Sequence, residues 1–266
     1  MLLSFPVIKG EGPMYRATYV LDEIFTYTTD TLDFKGRKDI LYLDLYPHKS
    51  FCFSKYTWFT DSLKMQPDGD RTWMLLFKAA YKNDKGGSAE NPSYPHKKNT
   101  FQIMKNRSDN QIKVFDNFDQ QDYEYEETCD FNWCISDSIQ KINGYDCYMA
   151  TSNAYGRNWT VWFCPDLPWP DGPWKFSGLP GLIVAAHDSD RFYKFNLIDI
   201  SDNFIPVKPW AKNAQKTTLK DFNRSRYKYL QSLDGILNAE LGIVVEYKPS
   251  SAKRYRIGLE SDYPHN

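Results

Sequence analysis

The side chains in this sequence that could do chemistry are few: four histidines, five cysteines and one stretch dense in Trp, Asp and Lys between residues 165 and 183. His96 falls in a polar low-complexity segment and His265 in the tail, which leaves His48 and His187 as general bases. His187-Asp188 would supply a base and its orienting carboxylate. No Gly-x-Ser-x-Gly elbow, HExxH helix or activated-cysteine signature accompanies them, so no catalytic residue is assigned. A hydrolase with its site near His187 is the alternative function, and it requires His187 to share a pocket with a carboxylate and a Ser or Thr. Asp166, Asp171, Asp188 and Asp190 read as turn residues. The cysteines form no CxxC pair and no Cys/His spacing of a structural zinc site, so neither a metal nor a cofactor is expected.

Cysteine register carries a sharper expectation. If Tyr155-Gly156 is a two-residue hairpin loop closed by Ala154 and Arg157, then Cys147 faces Cys164 seven steps out, in a non-hydrogen-bonded pair with Cα atoms about 4.5 Å apart. That spacing is at the close end of what a disulfide tolerates, making Cys147 and Cys164 the candidate disulfide. A turn at Gln140-Lys141 would instead oppose Cys134 to Cys147, although Asn143-Gly144 is the better turn dipeptide. Buried free thiols are the third possibility. The same register places Tyr148, Ala150, Ser152, Trp159, Val161 and Phe163 on one face, read as core.

Residues 165–183 contain Asp171-Gly172-Pro173-Trp174-Lys175-Phe176 followed by Gly178-Leu179-Pro180-Gly181-Leu182-Ile183. Leu179 to Leu182 suits a type II turn, with Pro180 fixing φ and Gly181 supplying positive φ; Asp171-Gly172-Pro173 is a second turn. A structural corner is the plain reading. The functional one is a groove walled by Trp162, Trp169 and Trp174 with Arg157 and Lys175, since indole faces and a cation suit a peptide or glycan. This string, with Trp133, Gly144-Tyr145, Cys147, Gly156-Arg157 and Trp162-Phe163 before it, resembles the signature of the GLPGLI family, specifically across residues 133–195 and more loosely across 15–62. The resemblance implies a mostly β protein of the Gram-negative cell envelope, periplasmic or on the outer envelope, and it names no reaction. No signal peptide is visible at the start of this chain.

Elements to position these residues are mainly strands. Aromatics make up 17% of 266 residues, which favours pleated sheet. Period-two alternation marks Trp159–Cys164 and Tyr193–Leu197; Tyr15–Tyr27, Ile40–Leu45, Ser50–Phe59 and Trp73–Ala80 also read as short strands, and Ile243–Tyr247 and Arg254–Leu259 as later ones. One helix is expected at about 218–233, capped by Thr217 or Thr218, with Leu219, Phe222, Arg226, Leu230 and Leu233 on one stripe. Residues 83–99 read as an exposed loop without a site, and the acidic, aromatic run Asp122–Glu127 as a solvated edge. The expected fold class is mainly β: a single domain over 1–266 built on an antiparallel curved sheet, sandwich or half-open barrel, with that one covering helix. A half-open barrel serving as a carrier would hold a deep apolar cavity.

A formal net charge of −1 gives no global pull toward nucleic acid, and no apolar run is long enough for a transmembrane segment. The function expected is a non-catalytic, exported envelope protein acting as a binding or accessory factor. Its partner would be an envelope component or an extended ligand: peptide, glycan or lipid.

Overall fold

A computed structural model describes residues 14–28, 34–83, 96–118, 121–129, 131–207, 214–229, 254–256 and 259–260. The expected strand at 243–247, Leu230, Leu233 and most of the 83–99 loop lie outside the described residues. The chain is mainly β, and its strands form one open, curved sheet. The strands are β1 (Tyr15–Thr28), β2 (Phe34–Leu45), β3 (Lys49–Ser54), β4 (Gln102–Asn106), β5 (Gln111–Phe118), β6 (Gln121–Thr128), β7 (Cys134–Ile142), β8 (Tyr145–Ala154), β9 (Arg157–Cys164), β10 (Leu182–Asp188), β11 (Tyr193–Ser201), β12 (Gln215–Lys216) and β13 (Arg254–Arg256). Their spatial order is β12-β6-β5-β4-β3-β2-β1-β11-β10-β9-β8-β7, with β13 added on β1. All the pairs are antiparallel except β12 on β6.

Two local rules set the register at one end. Asn143 (φ 51°) with Gly144 (φ 88°), and Tyr155 (φ 53°) with Gly156 (φ 69°), put positive φ at both central positions of each two-residue hairpin loop, the geometry that matches strand twist. Tyr148 therefore faces Phe163, and Ala154 faces Arg157. Left-handed backbone at a tyrosine costs about 1–2 kcal/mol; the Tyr155 ring offsets it by packing 5.0 Å from Trp174 and 5.5 Å from Phe131.

Alternation then decides which face is covered. Ala17, Tyr19 and Leu21 of β1, Leu41 and Leu43 of β2, and Trp159, Val161 and Phe163 of β9 are buried on one side. Tyr125 of β6 belongs to the same buried cluster as Ala150 of β8, so the sheet curls far enough for its two ends to share a core. A smaller cluster of Phe51, Phe53 and Val207 sits on the opposite face of β3.

Helices cover the open parts. The helix at 219–229 (α3) starts as expected: Thr218 Oγ1 accepts the Asp221 N–H at 3.1 Å and donates to the Asp221 carboxylate at 2.9 Å. Phe222 is buried against Phe118, Tyr123 and Tyr125. Two further helices replace expected strands. The strand expected over 50–59 ends at Ser54, whose Oγ accepts the Thr57 N–H and starts α1 (Lys55–Lys64). Trp73–Ala80 lies inside α2 (Gly69–Asn83). Aromatic content suggested strand there, but Trp73, Phe77 and Ala80 recur at helical spacing, and tertiary contact with α1 overrides propensity.

Candidate functional site

Between β9 and β10 the chain leaves the sheet and runs through the core as a plug. Leu167, Trp169, Trp174, Phe176 and Leu179 are all buried. Trp174 and Phe176 meet edge to face at 5.2 Å and both rings contact Trp159. Two turns and an isolated bridge between Asp171 and Ser177 shape the segment. The type II turn expected over residues 179–182 is replaced by a tighter corner: Gly181 N–H donates to the Leu179 carbonyl at 2.8 Å. Leu182 N–H is taken instead by the Leu167 carbonyl at 2.9 Å, which ties the start of β10 to the start of the plug. Gly181 (φ 152°) has no room for a side chain, because a Cβ would lie 2.2 Å from the Cys164 carbonyl oxygen. The second turn falls at Pro173–Phe176, with Trp174 left-handed at φ 52° and its N–H donating to Cys52 Sγ at 3.2 Å.

The two buried charged groups of the plug, Asp171 and Lys175, are each engaged by two opposite charges. Asp171 is fully buried and holds Lys105 at 2.5 Å and Arg107 at 2.9 Å, while also accepting the Gly172 N–H at 2.8 Å. Lys105 donates further to the Phe176 carbonyl at 3.0 Å. Lys175, 1% exposed, ion-pairs with both Glu127 and Glu260 and lies 4.6 Å over the Tyr155 ring. Asn223 of α3 fixes the second Glu260 oxygen at 2.8 Å. Burial pulls the Lys175 ammonium pKa down, but Glu260 and Glu127 outweigh it and hold it above its ordinary value. An ammonium so paired is neither a nucleophile nor a base. Arg157 pairs with Asp188 at 2.8 Å, donates to the Leu259 carbonyl at 2.9 Å and covers the Tyr193 ring.

The five residues expected to wall a groove therefore do not form one. Arg157, Trp169, Trp174 and Lys175 are buried in the core and Trp162, half-buried, points from the other face of β9, beside Met149 and Ala185. Asp122–Glu127 is not simply a solvated edge either, since Tyr125 is buried and Glu127 reaches Lys175. The interior a carrier would leave open is occupied by the plug.

His187 and Asp188 are adjacent on β10 and so face opposite sides of the sheet. Asp188 is buried and bound to Arg157 and to the Tyr193 N–H; His187 stands opposite Thr160 on the other face. Burial first, then Arg191, lowers its pKa. That geometry removes the base–carboxylate pairing the hydrolase alternative needs.

Among the cysteines, the hairpin register is the expected one, placing Cys147 and Cys164 opposite each other one step beyond the Tyr148–Phe163 pair. Both are buried and both thiols are free. Burial first, and Cys164 beside it, push the Cys147 thiol up to about 12. The competing pairing is excluded, because Cys147 faces Gln140 and exposed Cys134 faces Thr151.

An open cleft of mixed polar and apolar lining lies elsewhere, beside α1, with a volume of about 230 Å³. Thr57, Asp61 and Met65 of α1 form one wall, Thr100 and Gln102 another, and Phe115 and Asn117 of β5 with Asp122 of β6 a third. Its carboxylates are already engaged: Asp61 with Lys97 at 2.6 Å, Asp116 with Arg226 at 2.9 Å and Thr100 at 2.5 Å, Asp122 with Asn117 at 2.8 Å. What remains for a ligand is hydroxyl, amide and carboxylate lone pairs and the Lys64 side chain, set around the Phe115 ring and Met65. This rim uses the end of the supposed loop: Asn99 is buried and donates to Asp39 and Glu23, both at 2.9 Å. The available signal was Asp39 itself, a carboxylate at an inward position of β2; burial raises its pKa against the opposing bonds from Asn99 and Ser54.

No family model matches the chain, and no curated protein does. Among solved structures, PNGF-II in two crystal forms aligns with 81% and 80% of this chain at 13% identity, with TM-scores of 0.48 and 0.45. The chain spans about a third, 33%, of the length of those proteins. A domain of a putative outer membrane lipoprotein-sorting protein from Vibrio parahaemolyticus aligns with 73% of this chain and 86% of its own at 8% identity and a TM-score of 0.27. A DUF1329 family protein from Desulfovibrio piger gives 71%, 85%, 7% and 0.27. At these scores the likenesses fix neither activity nor ligand.

Proposed function

We propose that this chain is a GLPGLI-family protein of the cell envelope that acts without catalysis, as a binding or accessory factor, and that the cleft beside α1 is where it takes its ligand. The carrying observation is the contrast in exposure: the plug's Asp171 and Lys175 are buried and internally paired, whereas the cleft opens hydroxyl, amide and carboxylate groups to solvent. The envelope assignment is supported by the motif at 171–183 and its approach from residue 133. The ligand that suits the cleft is hydroxyl-rich and about one sugar unit in size: Asp61 and Asp116 are already paired with Lys97 and Arg226, and amides, hydroxyls and one aromatic face match a polyol.

Native mass spectrometry of the protein purified from its own envelope tests this. A hydroxylated adduct that is lost on denaturation and absent from an Asn117→Leu, Thr100→Val variant is the expected result. An adduct retained by that variant, or an apolar lipid in its place, overturns the ligand assignment.

A further inference from the structure

The outer face of α2 has a composition that folding does not explain. The helix packs on α1 through one side: Gly69 and Ala80 are buried, and Trp73 and Phe77 are half-buried and stacked at 5.3 Å, with Lys64 of α1 lying 4.5 Å over the Trp73 ring. At 3.6 residues per turn these four positions fall within an arc of about 80°. Diametrically opposite, Arg71, Met74, Leu75, Lys78 and Lys82 follow the i, i+3, i+4, i+7, i+11 spacing of one stripe, and all are exposed, Leu75 to 61% and Met74 to 43%. No carboxylate shares this stripe. None of its three cations has an ion pair among the described residues.

Two large apolar side chains set among three unpaired cations are complementary to one kind of surface. The Met74 and Leu75 side chains reach past the headgroups to the acyl boundary, while the long stems of Arg71, Lys78 and Lys82 carry their charges back to phosphate. An acidic protein face would match the cations but leave Met74 and Leu75 to find pockets of their own. Since the chain as a whole carries a charge of −1, the attraction is local to this helix. We propose that α2 lies on an anionic phospholipid surface with this stripe facing the bilayer. The inference is independent of what the cleft binds.

Vesicle co-sedimentation tests it, using phosphatidylglycerol-containing and pure phosphatidylcholine vesicles with the full chain. Binding to the anionic vesicles, weaker by about tenfold or more on neutral ones and falling as salt rises, is expected. Leu75→Asp with Met74→Asp, and separately Lys78→Glu with Lys82→Glu, should each reduce binding by at least about tenfold with the circular dichroism spectrum and thermal midpoint unchanged. Failure of the native chain to bind anionic vesicles, or binding that both variants retain, overturns the proposal. So does a concentration-dependent dimer that the Leu75 variant breaks, which would assign the stripe to a second copy of the chain.

Discussion

The plug at 167–183 and the α1–α2 pair are opposites. The plug is aromatic, has every charge paired, and is enclosed by both ends of the sheet. The helix pair projects from the β3–β4 connection, leaves Phe59, Met65, Met74 and Leu75 exposed, and borders the cleft. A Trp-rich, charged motif reads as a binding site when its neighbours are unknown. Once Asp171 holds Lys105 and Lys175 holds two carboxylates, the same residues are the internal fastening of the fold, and the surfaces proposed above for contact with other molecules lie in a region whose sequence carries no motif.

The comparison can be broken most directly at Lys175. Lys175→Met should cost about 3–5 kcal/mol in chemical denaturation, since it leaves the largely buried Glu127 and Glu260 without their cation; a loss below about 1 kcal/mol would show that the plug fastens nothing. Trp174→Ala should cost a similar amount, about 3–5 kcal/mol, through lost ring contacts with Trp159, Phe176 and Tyr155. Gly181→Ala must push a Cβ against the Cys164 carbonyl and should cost about 1–3 kcal/mol. On the helix side, Leu75→Asp should change stability by no more than about 0.5 kcal/mol; a larger loss would mean α2 is covered by the chain itself.

Titration sharpens the same contrast. The Lys175 pKa is raised above its ordinary 10.5 in the folded state, so its stabilisation is complete below pH 10.5 and is lost as pH rises through the folded value. The stability difference between native protein and Lys175→Met should therefore shrink in that alkaline window, and shrink again in acid as Glu127, whose pKa burial raises, takes up a proton. Thiol accessibility gives the smallest effect. Cys134 is exposed and should alkylate promptly at neutral pH, whereas Cys52, Cys129, Cys147 and Cys164 are buried, with Cys52 and Cys147 pushed up to about 12, and should resist until unfolding.

Much of the sheet was legible from local signals. Alternation along Trp159–Cys164 and turn chemistry at Tyr155-Gly156 placed β8 against β9 in register, because a one-residue slip would have turned Trp159 and Val161 outward, and Asn143-Gly144 was the better of two turns offered for β7 against β8. The α3 cap was legible in Thr218 and Asp221. α1 and α2 were not: Trp58, Phe59, Trp73 and Phe77 favour strands by type, and only packing between the helices makes their spacing decisive. The plug's role was hidden for another reason. Lys105, Glu127 and Glu260 are distant in sequence from residues 171–175, so nothing local announces that those charges are already matched. The cleft assembles from α1, the chain before β4 and the β5–β6 end, and only inward-facing Asp39 hinted that the segment near Asn99 was tied down.

Native-state hydrogen exchange, read residue by residue across a denaturant series, tests the central claim in one measurement. If the plug is the fastening of the fold, the plug amides of Gly172 and Gly178, and the β10 amides of Leu182 and Ile183 that bond to plug carbonyls, exchange only through global unfolding, while those of α2 exchange through a local opening of much lower free energy. Exchange of the plug amides through a sub-global opening, at a free energy at or below that of α2, would contradict it.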